Sequence, residues 1–181
     1  TVTTNAAVTG NGFDGIFAAT NGASSATVNV GGTTQGLVTG VRVINFGGSG
    51  NANVNDAGGF AITGVTTDGI RASADTGTVN VGSGVGNRIN GVVTGADDGI
   101  DADSVGSVNV FTGNNVTGTN DRGIIAESTG AGTAVVIDAT GGAIKASTNG
   151  IDASALGAGS TVKVTNTDSV NVATGAGIVA A

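Results

Sequence analysis

The chain has no cysteine, histidine, proline, methionine, tryptophan or tyrosine, and only five of its 181 residues are aromatic, all phenylalanine. Without cysteine there is no disulfide framework and no thiol chemistry, although that absence does not fix the redox compartment. Without histidine as well, Ser-His-Asp triads and ordinary zinc sites are excluded. Charge is equally scarce. Six Lys and Arg against thirteen Asp and Glu give a net charge of −7. So few cations cannot form a phosphate-neutralising patch, which excludes nucleic acid as a partner and argues against binding to anionic membrane surfaces. No apolar run approaches the roughly 18 residues of a spanning helix, so this segment is not expected to insert into a membrane. The opening Thr1-Val2-Thr3-Thr4 is neither a signal peptide nor an initiator, and it suggests a processed product or an excerpt of a longer chain.

What is present is a repeat. Asp14-Gly15-Ile16, Asp68-Gly69-Ile70, Asp98-Gly99-Ile100, Gly123-Ile124, Asn149-Gly150-Ile151 and Gly177-Ile178 are one phrase, usually completed by an alanine two residues after the isoleucine. A divergent copy around Val43 fills the one double gap, which sets a period of roughly 27 residues, within the range of solenoid repeats. Two other phrases recur between these. One is Val-x-Val: Val28-Asn29-Val30, Ala52-Asn53-Val54, Val79-Asn80-Val81, Val108-Asn109-Val110, Val135-Val136-Ile137 and Val162-Lys163-Val164. The other is an apolar–polar–Gly triplet: Val8-Thr9-Gly10, Val38-Thr39-Gly40, Ile62-Thr63-Gly64, Ile89-Asn90-Gly91 and Val116-Thr117-Gly118, with Ile144-Lys145-Ala146 a looser copy.

Each period therefore holds three short strands of period-two alternation, with Gly, Asn, Asp, Ser and Thr at the corners. The expected fold is all-β: a right-handed parallel β-helix, or β-solenoid, with three short strands per turn and no helices. Residues 1–181 are expected to form one segment of six to seven turns, uncapped at both ends. The turns are expected at 14–40, 41–66, 67–95, 96–119, 120–146 and 147–175, and at about 4.8 Å per turn the column stands about 30 Å tall. The surplus residues from Val85 to Val93 predict a bulge or a longer corner. Inside, like stacks on like. Ile16, Val43, Ile70, Ile100, Ile124, Ile151 and Ile178 form one ladder, and Val79, Val81, Val108 and Val110 belong to another. Their burial, at about 0.8 kcal/mol per methylene, is the main stabilising contribution.

Three sets of polar residues are candidate sites. Asp14, Asp68, Asp98 and Asn149 precede the Gly-Ile phrase; repetition at one position favours an Asx turn with Gly at a strained corner over a calcium ladder. The densest acidic cluster, Asp97, Asp98, Asp101 and Asp103, is the candidate calcium set, although the Gly-Gly-x-Gly-x-Asp roll signature is absent. The same cluster, with Arg71 and Arg122 on neighbouring turns, invites comparison with β-helical pectin-degrading enzymes. The register places Arg71 beneath Asp101, where a surface ion pair worth a few tenths of a kcal/mol accounts for it. No long loop builds the cleft that a carboxylate pair requires. Outward columns of Asn (29, 53, 80, 109) and Thr (9, 39, 63, 117) could bind ice or glycans, but solvated faces bonded between turns account for them better, and ice binding would prefer a Thr-x-Thr row where this chain has single Thr columns. The five Phe (13, 17, 46, 60, 111) suit corner plugging.

Gly-Ile-x-Ala alternating with Val-Asn-Val and Val-Thr-Gly, in a chain poor in lysine and empty of cysteine, resembles the passenger regions of bacterial autotransporters and similar large surface adhesins. The resemblance covers essentially all 181 residues. It implies export to the bacterial cell surface, a β-helical stalk, roles in adhesion or biofilm, and a C-terminal membrane barrel outside these residues. The expected function is thus a non-enzymatic spacer in a secreted surface fibre, without cofactor unless calcium binds. Its partners would be flanking repeats or end-to-end copies of itself, and surface glycans or a host or neighbouring cell surface. Two alternatives are a filament subunit stacking end to end and a fragment of a polysaccharide-acting β-helical enzyme.

Overall fold

An isolated Val-Asn-Val strand buries too little to persist; its stability must come from identical strands above and below. The computed structural model, which describes residues 1–56 and 58–181, supplies them. The first turn holds β1 (Val2–Thr3), β2 (Val8–Gly10) and β3 (Ile16–Asn21), and the second β4 (Ala26–Asn29), β5 (Thr34–Gly36) and β6 (Val41–Phe46). The third holds β7 (Ala52–Asn55), β8 (Ile62–Gly64) and β9 (Ile70–Ala74), and the fourth β10 (Val79–Val81), β11 (Val93–Gly95) and β12 (Ile100–Ser104). Next come β13 (Val108–Thr112), β14 (Val116–Gly118) and β15 (Ile124–Ser128), then β16 (Ala134–Ala139), β17 (Ile144–Ala146) and β18 (Ile151–Ala155). The last turn is β19 (Thr161–Asn166), β20 (Val170–Val172) and β21 (Ile178–Ala180). Every third strand pairs in parallel, so the chain forms three seven-stranded sheets; among the described residues there is no helix. The all-β solenoid of three strands per turn is as expected.

The third sheet carries the isoleucine ladder. Ile70, Ile100, Ile124 and Ile151 stack in register and are fully buried. Ile178, with a neighbouring rung on one side only, is 45% exposed, whereas Ile16 at the other end of the ladder is 5% exposed. The second rung of this ladder is Val41, not Val43: Val41 pairs Ile16 and Ile70, and Val43 stacks between Ala18 and Ala72. With no Gly-Ile phrase in that turn, nothing in the local sequence marks which valine takes which column. Both are buried, so the inward pattern is kept.

In the first sheet, Val79 and Val81 stack on Val108 and Val110 as expected, and beneath them lie Ala52 and Val54. One turn lower the register departs from expectation by two residues. Ala26-Thr27-Val28 is the copy, and Val30 packs just past the strand end. In the second sheet two expected triplets are displaced. Thr34-Gln35-Gly36 occupies the place given to Val38-Thr39-Gly40, and Val93-Thr94-Gly95 the place given to Ile89-Asn90-Gly91. Thr34 faces the interior in a column of Val and Ile, and its hydroxyl donates to the Gly32 carbonyl at 3.1 Å, which removes the cost of burying it. Ile89 is nonetheless fully buried and bridges Thr112, so the predicted surplus in this turn becomes an extra core residue on a long corner.

Candidate functional site on the outer face of the third sheet

The corner entering the third sheet stacks Asp14, Thr39, Asp68, Asp98, Arg122, Asn149 and Ala176, each two residues before the isoleucine column. Their side chains do not close turns on themselves. The Asp14 carboxylate accepts the Thr39 N–H at 3.2 Å, Asp68 that of Asp98 at 3.4 Å, Asp98 that of Arg122 at 2.8 Å, and Asn149 that of Ala176 at 3.0 Å. Each is thus a tie to the next rung rather than the expected Asx turn. The following glycines are also not strained: Gly15, Gly69, Gly99 and Gly150 all avoid positive φ. They are glycines because rungs approach too closely for a side chain. A Cβ at Gly99 would lie 2.5 Å from Val116 Cγ1 and 2.6 Å from the Gly123 carbonyl oxygen.

Burial pushes up two of these stacked carboxylates. Burial, then the charge of Asp98, raises Asp68 from 3.8 to about 6. Burial, opposed by the Arg122 N–H, raises Asp98 to about 6. Asp101 is also raised to about 6 by burial, against the pull of Arg71. The expected calcium set does not converge. Asp101 pairs with Arg71 (Oδ2–Nε 3.4 Å), as the register predicted, while Asp103 lies farther along the strand and accepts the Ser73 hydroxyl at 3.0 Å. The group that does converge is Asp68, Asp97 and Asp98, with one ligand oxygen each within 4.8 Å of the others. Two of its three members are already engaged by backbone N–H groups. Arg122 stands where the next aspartate would be and reaches Asp121 at 3.3 Å and Asp152 at 3.4 Å.

Outward residues of this sheet form three columns along the rod. The first runs Arg42, Arg71, Asp101; the second Ile44, Ser73, Asp103, Glu127; the third Phe46, Asp75, Val105, Thr129. A groove of about 550 Å³ opens over four rungs, with Ile44, Ser73, Asp103 and Glu127 along its length. Arg42 lies 5.5 Å from the centroid of the Phe17 ring and 3.8 Å from Asp14. No family model matches the chain, and neither does any curated protein or solved structure. The geometry alone must carry the functional reading.

The remaining predicted columns fall out as structure. Asn53, Asn80 and Asn109 do stack, each amide donating to the one below at 2.9 and 3.0 Å. Asn29 is not in that line; it accepts from Asn55 at 2.9 Å, one alternation farther along the strand. Thr63, Thr94 and Thr117 stack outward, whereas Thr39 is buried at the corner with its hydroxyl 3.0 Å from that of Thr67. Corner plugging fails for Phe13, Phe17 and Phe46, which are 81%, 53% and 52% exposed. Arg42, Ile44 and Phe46 lie on one strand and Glu127 three rungs away, so no repeat marked the groove they share; their outward position in an alternating strand was the one signal available. The Arg88–Asp138 pair at 2.8 Å, fifty residues apart, had no signal at all.

Proposed function

We propose that the chain is a non-enzymatic structural segment of a bacterial cell-surface fibre, a stiff spacer of the autotransporter-passenger kind that carries an adhesive function elsewhere on its parent. The single observation that supports it is continuity: all three sheets run through seven rungs with each strand paired to the one three places on. The backbone ladder and the apolar columns then repeat every turn, and each turn depends chiefly on its immediate neighbours, as in other solenoids. A spacer needs that property, because its length can change by whole turns without loss of form.

The test follows from modularity. In the parent protein on intact cells, removal of residues 123–149 splices Arg122 onto Gly150 and deletes one whole turn. Surface display, read by antibody labelling with and without permeabilisation, and adhesion should both persist, with the rod shorter by about 4.8 Å. Removal of half that length breaks all three registers and should abolish display. Intracellular retention of the unaltered protein, or lost adhesion by a correctly displayed whole-turn deletion, would overturn the proposal.

A further inference from the structure

The groove on the third sheet is poorly explained by stability. Asp103 and Glu127 are directly opposite on adjacent parallel strands, and Arg42 and Arg71 are stacked the same way one and two rungs below. Like charges directly opposite destabilise a sheet, and a spacer selected for stability alone would alternate them. Among the described residues Glu127 makes no ion pair or side-chain hydrogen bond, and Arg42 Nε is buried without a partner. Arg71, Asp103 and one nitrogen of Arg42 are paired within the chain, which leaves Glu127 and Arg42 Nε as the groups placed for something outside it.

We infer that this groove binds an extended, uncharged oligosaccharide lying along the rod axis. The groove is open and long rather than deep, which suits a chain and not a compact ligand, and its volume of about 550 Å³ falls within the usual range for ligand sites. Its rungs are spaced at about 4.8 Å, close to the length of one pyranose unit in an extended glycan, so successive rungs can address successive rings. Sugar hydroxyls both donate and accept. The two guanidiniums at one end offer donors only, and the carboxylates of Asp103 and Glu127 at the other offer acceptors only. Phe46, half exposed on the wall, presents a flat apolar face to the C–H side of a ring. A polyanion is repelled by Asp75, Asp103 and Glu127, and a polycation by Arg42 and Arg71, so a neutral chain is the complement. This site is additional to the spacer role, and a spacer without it remains a spacer.

Isothermal titration of the 181-residue chain with cellohexaose and mannohexaose tests the inference, with hexamers of galacturonate and of glucosamine as charged probes. One neutral hexaose should bind with a dissociation constant on the order of 1 mM, and Phe46→Ala and Glu127→Gln should each weaken it at least about tenfold. Both side chains point outward, so far-ultraviolet circular dichroism should be unchanged in both variants. Lys145→Ala, on the outer face of the second sheet, should bind as the parent does. Absence of saturation by either neutral hexaose at ~10 mM, well above that constant, overturns the proposal. So does a preference for either charged hexamer, or unweakened binding by both groove variants.

Discussion

Two corners of each turn meet different demands. The one between the second and third sheets has four or five residues in every turn, from the five between Gly10 and Ile16 to the five between Val172 and Ile178. The one between the first and second sheets varies from three residues, between Thr112 and Val116, to eleven, between Val81 and Val93. The constant corner is held by contacts that leave no room for change: the side-chain ties to the next rung and glycines against which a neighbouring rung packs. The variable corner has ties of its own: the Thr4 hydroxyl accepts the Gly31 N–H at 3.0 Å, and the Asn115 side chain that of Ala143 at 2.8 Å. These fall at different positions in different turns, and insertions are tolerated where each restores what it disrupts. Residues 82–92 do so with Ile89, which adds to the core, and with Arg88, which spans two rungs to Asp138 and also donates to the Thr112 and Asp138 carbonyls at 3.1 and 2.9 Å. Buried Asp56 completes the repair by accepting the N–H groups of Phe60 at 3.0 Å and Gly91 at 2.8 Å.

The largest expected effect separates the ladder from the insertion. Ile100→Ala should destabilise the rod by about 4 kcal/mol, because a rigid column on both sides cannot collapse into the cavity. Ile89→Ala removes an equally buried side chain, but from a corner free to settle, and should cost about 2 kcal/mol. Urea denaturation with a common m-value measures both, and equal losses would erase the distinction. Next come the glycines. Gly99→Ala forces a Cβ against backbone and a valine methyl and should cost about 2–3 kcal/mol. Gly86→Ala, in the insertion with nothing within 4 Å and no positive φ, should change stability by no more than about 0.5 kcal/mol.

The same contrast explains what could be read from the residues alone. The isoleucine ladder was legible because the constant corner holds its phrase in one register; Ile70, Ile100, Ile124 and Ile151 fell where the 27-residue period placed them. One error fell where the variable corner changes length. Ile89-Asn90-Gly91 has the same pattern as the true strand Val93-Thr94-Gly95 four residues later, and alternation cannot choose between two good candidates on a long connection. Thr34-Gln35-Gly36 was missed for the opposite reason, having no apolar residue to announce it. At the candidate site, Arg71 over Asp101 followed directly from register. The groove did not, since its depth depends on the relative sizes of side chains in three columns from four different repeats.

Arg88 offers a finer probe of the repaired corner. Its pair with Asp138 is largely but not wholly shielded, with side-chain exposures of 12% and 18%. Removal of one partner from a fully buried pair costs 3–5 kcal/mol, and partial exposure reduces that, so Arg88→Ala should cost about 1–2 kcal/mol. Arg71→Ala, whose partner Asp101 lies on the regular face and whose own side chain is 48% exposed, should cost less than about 1 kcal/mol. Reversal of that order would mean that the insertion is decoration on the rod rather than part of it.

The response to acid probes the constant corner most directly. Asp68, Asp98 and Asp101 ionise at about 6 in the fold and near 3.8 when exposed, so between those values the folded chain holds more protons than the unfolded one. Stability must then rise as pH falls through 6, and the gain is complete below 3.8, the reverse of the usual acid denaturation of paired carboxylates. A urea midpoint higher at pH 5 than at pH 7 is the expected result, and Asp98→Asn, which keeps an oxygen to accept the Arg122 N–H, should flatten the dependence. If the midpoint falls on acidification, the stacked carboxylates are held by their arginines more firmly than burial disfavours their charge. The corner would then be an electrostatic clamp instead of a column of desolvated ties.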